Sequence, residues 1–291
     1  MDRLVTLPID RWDAAASAGD RQSAIAALES GSVVWMPRLA FEFEPGESGL
    51  FDPNLGAQAK NISLDPQRHV LRGTSADAAG RDLLQGMMQR YADATGALVH
   101  ALLPGYGKGL NWGRTSFRPC EIEGRRSSWR KDDTRLHVDA FPSSPTGGRR
   151  ILRVFTNVHP RGGTRRWRLG EPFEAVARRF LPAIPAPLPG SAALLHRLGI
   201  TKTRRTPYDH YMGRLHDRMK ADLAYQSGCE QIVHEFPPGG TWLVYTDLAS
   251  HAAMRGQFLL EQTFLVEMAV QADPARAPLR VLEKLLGRAL A

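Results

Sequence analysis

The feature that most restricts the fold of this chain is a change of hydrophobic period near residue 105. Before it, the stretch after Ser75, ADAAGRDLLQGMMQRYADATGALVHALLP, repeats apolar residues at helical spacing, which puts Leu83, Leu84, Met87, Met88 and Tyr91 on one side. Pro104 and Gly105 should end that helix. Beyond them the period falls to two, in short runs separated by turn residues: GRTSFRPCEI, TRLHVDAF, RRILRVFTNVHP and TRRWRLG, and later EQIVHEFPPGGTWLVYTDLASHAAMRGQFLLEQTFLVEM. Many short alternating strands favour two facing sheets over a parallel sheet with crossover helices. The expected class is mainly β with peripheral helices, built on a double-stranded β-helix (jelly roll) core.

The rest of the chain fits around that core. A helix capped by Asp10 is expected to reach about Ser30, followed by a strand in SVVWMPRLAFEF and a loop with short strands from Glu44 to Arg72. Residues 171–228 are helical in pattern, broken by LPAIPAPLPG. The chain reads as a single domain of 291 residues: an N-terminal elaboration over about 1–110, a jelly-roll core over about 111–270 with the helical insert at 171–228, and a C-terminal amphipathic helix at 275–291.

The net charge is +8 and the sequence pI about 9.9, so the surface attracts polyanions, whether nucleic acid, an acidic membrane leaflet or a phosphorylated ligand. Cys120 and Cys229 are the only cysteines and form no C-x-x-C, which argues against a cysteine-built metal site and fits a reducing cytoplasm. The N-terminus MDRLVTLPIDRWDAAASAGD shows no apolar h-region, and no segment approaches the roughly 18 apolar residues of a membrane span. The expected location is the cytoplasm.

His137 and Asp139 stand two apart in TRLHVDAF, and in a strand that spacing puts both on one face. About 0.5 H-x-D triplets are expected by chance at this composition, so the motif alone decides little. A third group, His251, follows a turn at the start of a later strand. Two histidines and one carboxylate on one face of iron(II) leave three positions open, enough for a bidentate 2-oxo acid and O₂. A closed zinc site would need a fourth ligand, which no sequence neighbour supplies.

Such a site also needs a cation for the distal carboxylate of the 2-oxo acid, preferably an arginine that can bind it bidentately. The run LLEQTFLV, where such an arginine is commonly found, holds no Arg or Lys. The anchor must come from elsewhere, and Arg118, Arg153 and Arg165 are the candidates, with Arg153 favoured because it interrupts an apolar alternating run. Gln262 and Thr263 occupy the usual place and could supply neutral contacts.

In order along the chain, KNISLDP at 60–66, LHVDAF at 136–141, RRILRVFTNVHP at 149–160 and SHAAMRGQFLLEQTFLV at 250–266 resemble the Kdo 3-hydroxylases, over roughly Ser32 to Met268. The resemblance implies a jelly-roll oxygenase dependent on Fe(II), 2-oxoglutarate and O₂, with iron on His137, Asp139 and His251. Arg118, Arg153 and Arg165 would then serve the co-substrate or the acidic sugar. The implied reaction hydroxylates carbon 3 of Kdo in Kdo-lipid A, giving Ko, during lipopolysaccharide biosynthesis. A carboxylated sugar on a phosphorylated lipid accounts for the basic surface without invoking nucleic acid.

Two other readings meet the same residues: a 2-oxoglutarate oxygenase of another acidic substrate, protein or nucleic acid, and a non-enzymatic jelly roll that binds polyanions. The basic runs RRSSWRK at 125–131 and TKTRRTPYDHYMGRLHDRMK at 201–220 sit in no recognised nucleic-acid module and read as the mouth of an acidic-substrate cleft or as solvated surface. GYGKG at 105–109 lacks the phosphate-loop pattern and reads as a turn. His159, His210, His216 and His234 lack ligand spacing, since Asp209 and Asp217 are adjacent on a helix. The C-terminal APLRVLEKLLGRALA sets Leu279, Leu282 and Leu286 against Arg280, Lys284 and Arg288, a pattern that suits either the body of the protein, an oligomer interface or the anionic inner face of the inner membrane. Oligomeric state stays open.

Overall fold

The computed structural model describes residues 3–56 and 61–291. Lys60, which begins the KNISLDP segment, and Met1 and Asp2 lie outside the described residues. In chain order the elements are β1 (Leu4–Thr6), α1 (Ala18–Glu29), β2 (Val33–Met36), β3 (Ile62–Asp65), β4 (Val70–Arg72), α2 (Ala78–Leu102), β5 (Leu110–Arg118), β6 (Arg150–Asn157) and β7 (Arg165–Leu169). There follow α3 (Phe173–Phe180), α4 (Ser191–Arg197), α5 (Pro207–Ala221), α6 (Leu223–Gly228), β8 (Ile232–Phe236), β9 (Thr241–Tyr245), β10 (His251–Arg255), β11 (Leu259–Val266) and α7 (Pro278–Leu286).

Among the described residues eight strands form the major sheet in the order β1-β2-β9-β6-β11-β5-β3-β4, and three form the minor sheet, β10-β7-β8. Every pairing is antiparallel except β1 with β2. The two sheets face each other as a jelly roll, and part of the space between them is filled by an apolar cluster drawn from both. Phe155 and Trp242 from the major sheet meet Trp167 and Phe236 from the minor one. Phe236 stacks on Trp242 with centroids 4.0 Å apart, and Phe155 packs edge-on to Trp167 at 5.1 Å. The other face of the major sheet is covered by α2, whose Leu84, Met87, Met88 and Tyr91 bury against Ile62, Phe117 and Leu260.

Several expected boundaries move, each for a tertiary reason. Leu83 is exposed rather than on the buried side of α2. The first helix starts at Ala18, with Ser17 as its cap, not at Asp10. The residues ahead of it form a strap instead, since the Trp12 indole donates to the Ala40 carbonyl at 2.7 Å and packs edge-on to Phe41 and Tyr91. The strand expected over SVVWMPRLAFEF ends at Met36, because Pro37 has no N–H to continue the ladder. TRLHVDAF is not a full strand: it joins the minor sheet through one bridge, His137 to His251.

The C-terminal helix buries Leu279 and Leu282 in the main core, and Gly287 ends it in the left-handed region (φ 67°). Its apolar side is therefore taken up by the body of the protein. Among the described residues no helix is long and apolar enough to cross a membrane.

Candidate metal and co-substrate site

The bridge at His137 places the first group of the site. His137 and His251 exchange backbone hydrogen bonds of 3.0 and 2.9 Å, so residues 136–139 run as a partial fourth strand beside β10. Two residues on, the Asp139 N–H donates to the Thr246 carbonyl at 2.7 Å. The loop between β9 and β10 that receives it is pinned by the buried Arg150–Asp247 ion pair at 2.8 Å, with the Arg150 guanidinium 4.0 Å above the Tyr245 ring. Gln226 of α6 holds the other side, accepting from Leu136 N at 2.7 Å and donating to Leu136 O at 3.0 Å.

Held this way, one nitrogen of His137, one oxygen of Asp139 and one nitrogen of His251 lie within 4.8 Å of one another. Nδ1 of His137 meets the Arg135 carbonyl at 2.7 Å and Nδ1 of His251 the Ala249 carbonyl at 2.8 Å. A carbonyl only accepts, so each Nδ1 carries the hydrogen and each Nε2 presents its lone pair. Burial pushes the His137 pKa down to about 3 and lowers that of His251. Burial alone would raise the Asp139 carboxyl, but Arg153 and the two histidines outweigh it and hold it well below the usual range. Two neutral imidazoles and a carboxylate whose Oδ2 has no hydrogen-bond partner form a donor set suited to a divalent ion.

The arginines stand in unequal positions. Thr263 and Arg153 are cross-strand partners on β11 and β6, and Arg118 ends β5 opposite Leu259. Period two then puts Arg118, Glu261, Thr263 and Arg153 on the inner face. Glu261, which sequence reasoning passed over, is 3% exposed and engages both arginines: it accepts a hydrogen bond from Nε of Arg118 at 2.9 Å and forms an ion pair with Nη1 of Arg153 at 3.4 Å. Arg153 also lies 3.3 Å from Asp139.

Arg165 differs from both. Its Nη1 donates to the Gly256 carbonyl at 2.9 Å, its Nε has no partner, and no carboxylate among the described residues is within ion-pair distance. Burial, aided by repulsion from Arg118, pushes its pKa down to about 9. Trp167, two residues on and so on the same face, stacks on His251 at 5.2 Å, and its buried indole N–H has no acceptor. TRRWRLG held this signal, as an Arg-x-Trp pair at strand spacing. The expectation for Gln262 needs correction: its side chain faces α2, where it accepts from Thr115 Oγ1 at 2.6 Å and donates to the Thr263 carbonyl at 2.8 Å. Its parity along β11 is opposite to that of Glu261 and Thr263.

A cavity opens from Asp139, lined by Phe141, Ile151, Tyr208 and Met212, with Arg205, Asp209, Arg214 and Asp217 as polar lining. Arg214 and Asp217 also line an adjoining cavity that adds Arg130, Arg179 and Arg218. The basic runs at 125–131 and 201–220 thus supply cleft walls through Arg130, Arg205, Arg214 and Arg218. His216, set aside on its spacing, packs edge-on to His137 at 5.3 Å and bonds Asp217 at 3.0 Å through Nδ1.

A family model for 3-deoxy-D-manno-oct-2-ulosonic acid (Kdo) hydroxylase matches residues 11–289. The chain belongs to the Kdo hydroxylase family. Among solved structures, the Kdo hydroxylase KdoO, a non-haem Fe(II) alpha-ketoglutarate-dependent dioxygenase in complex with alpha-ketoglutarate and Fe(III), superimposes with a TM-score of 0.97 at 46% identity, over 100% of this chain and 98% of that one. The apo form and the cobalt(II) complex of KdoO each superimpose at 0.97 with 47% identity, over 99% of this chain and 97% of theirs. No curated protein sequence is matched. In this Kdo hydroxylase family member, Arg165 Nε and the Trp167 indole N–H are thus buried donors without acceptors inside a fold whose relative holds a dicarboxylate.

Proposed function

We propose that the chain is an Fe(II)- and 2-oxoglutarate-dependent dioxygenase that hydroxylates carbon 3 of Kdo in Kdo-lipid A, giving Ko. The observation that carries this is the convergence of His137, Asp139 and His251 in a chain 46% identical along its length to KdoO. All 291 residues are read as one oxygenase unit around the jelly-roll core.

In this reading Nε2 of His137, Nε2 of His251 and a carboxylate oxygen of Asp139 would hold the iron. Bound there, iron(II) with 2-oxoglutarate and O₂ supplies an oxidant that can take a hydrogen atom from an unactivated carbon, with succinate and CO₂ as co-products. No side chain has to act as acid or base for that step. The work of the protein is to bind, orient and exclude water. Arg165 and the Trp167 indole are the donors left for the distal carboxylate of 2-oxoglutarate, because Arg118 and Arg153 are engaged by Glu261 and Asp139. Phe155, Trp167 and Trp242 keep the space between the sheets dry. Arg205 and Arg214 line the cavity that leads to Asp139, where they suit the sugar carboxylate, and Arg130, Arg179 and Arg218 suit phosphates beyond it.

Purified protein given Fe(II), ascorbate, 2-oxoglutarate and Kdo-lipid A should release succinate and add one oxygen to the Kdo, read by mass spectrometry. His137→Ala and His251→Ala should each abolish both signals with the far-UV spectrum unchanged. Wild-type rates in either variant, or turnover with nucleic acid and none with Kdo-lipid A, would overturn the reading.

A further inference from the structure

Nine large apolar side chains are exposed among the described residues, and four of them fall within thirteen positions: Leu188 (77%), Leu194 (57%), Leu198 (63%) and Ile200 (52%). Scattered singly such residues need no explanation; gathered on one short segment they mark a contact surface. The segment is α4 with its flanks, and α4 buries none of its own residues. It stands off the core, with Pro185, Pro187 and Pro189 ahead of it and a positive-φ glycine at each end, Gly190 and Gly199.

The charge around this patch has one sign. From residue 175 to 208 the chain has no Asp or Glu; Arg178 and Arg179 pair with Glu174 and Glu171 just ahead of it, which leaves Arg197, Lys202 and Arg204 as its exposed cations. Lys202 and Arg204 are exposed beside the apolar tip. Leucines that stand out from the body in a segment whose exposed charges are all cations match an interfacial segment, whose apolar side chains enter the acyl boundary while its cations meet anionic headgroups.

Its position supplies the second argument. A groove lined by Leu188, Leu195, Arg204, Thr206 and His210 runs beneath the patch. This groove and the cavity that reaches Asp139 share Arg205 and His210. We infer that residues 188–204 form a peripheral docking surface for an anionic lipid bilayer, which turns the cavity mouth toward the membrane. This rests on the proposed function only in that a lipid-linked sugar gives the docking its purpose; the docking itself needs no substrate. The C-terminal helix is not this surface, since its leucines are buried in the main core or packed against it.

The test is co-sedimentation of the full chain with vesicles of phosphatidylcholine alone or mixed with phosphatidylglycerol. Association should be at least about tenfold stronger with the anionic vesicles and should weaken with salt. Leu194→Ser combined with Leu198→Ser should lower it about tenfold or more. Leu223→Ser, at an exposed leucine on α6, should leave it unchanged, and all variants should melt with the wild type because none of these side chains is buried. The double variant should still convert a water-soluble Kdo acceptor at the wild-type rate. No binding by the wild type, equal binding to both vesicle types, or full binding by the double variant would overturn the inference. So would a wild-type dimer that the double variant turns into monomers, which would assign the patch to a second copy. Normal docking with no turnover on any acceptor would sink the proposed function and leave the docking surface standing.

Discussion

Replacing Arg165 by methionine separates a buried charge kept for a ligand from one kept for the fold. Burial and the neighbouring Arg118 bring this guanidinium from its ordinary value of 12.5 down to about 9, a penalty on the order of 4–5 kcal/mol in the ligand-free protein. Its sign follows from the direction of the shift: with the folded value below the unfolded one, the cost is present in full below about pH 9 and vanishes only as pH rises through the unfolded value. Methionine removes that cost but also removes the bond to the Gly256 carbonyl, worth about 2 kcal/mol. The metal-free variant should then gain about 2 kcal/mol and melt roughly 4 °C higher. Without the cation, 2-oxoglutarate should bind about a hundredfold more weakly, the equivalent of ~3 kcal/mol for a lost charge-assisted pair. Arg118→Met is the control with opposite expectation, because it leaves the buried Glu261 carboxylate with Arg153 alone and should destabilise the metal-free protein by ~3 kcal/mol. Thermal melting without metal, and anaerobic titration of 2-oxoglutarate into the Fe(II) protein, read both quantities. A lower melting point for Arg165→Met with unchanged 2-oxoglutarate affinity would refute the reasoning.

Two further outcomes follow from single contacts. Gly256 sits at φ +125°, and a Cβ there would lie 2.6 Å from Arg165 Cδ and 3.0 Å from its Cα; Gly256→Ala should cost ~1–3 kcal/mol and raise KM for 2-oxoglutarate more than it lowers kcat, which steady-state kinetics would show. Burial would raise the Glu47 carboxyl, but hydrogen bonds from Arg90 at 2.7 and 2.9 Å and from the Glu44 amide outweigh it and leave the value below 4.5. Glu47→Gln should therefore be ~2 kcal/mol less stable at neutral pH, and urea melts should show the gap to wild type narrowing as pH falls below 4.5, where the stabilisation from this depressed group is lost.

The elements that depend on local pattern are legible in the sequence, and those that depend on distant partners are not. His137 and Asp139 can be paired from their spacing alone, and His251 can be placed at the start of a strand by the turn before it. The arginines can be named but not ranked. What distinguishes Arg118 from Arg165 is Glu261, 143 residues from Arg118 along the chain, whereas Arg165 has no acid at ion-pair distance among the described residues. Gln262 was aimed at the site by its place in LLEQTFLV, yet strand parity sends it to α2; the parity could be read only once Glu261 and Thr263 were known to face inward. The start of α1 was hidden for a similar reason, since Trp12 takes a tertiary hydrogen bond that no periodicity records.

The two candidate membrane contacts carry the same distinction further. The C-terminal segment has the cleaner amphipathic pattern, but a pattern states only that an apolar side exists; Leu279 and Leu282 are buried in the body of the protein, and Val281, Leu285 and Leu286 pack against the same core. The segment around α4 has no comparable period, because prolines and glycines interrupt it. Its leucines are exposed because those breaks hold a short helix away from the core. Membrane contact on this reading belongs to the segment that the fold leaves uncovered and that lies beside the groove to Asp139. Removing charge from α7 by Arg280→Ala and Lys284→Ala should therefore leave vesicle binding near the wild-type level, whereas Lys202→Ala with Arg204→Ala should weaken it about thirtyfold, each cation near an anionic surface being worth about 1 kcal/mol. Equal losses from the two pairs would show that the attraction comes from net charge alone and not from where the fold presents it.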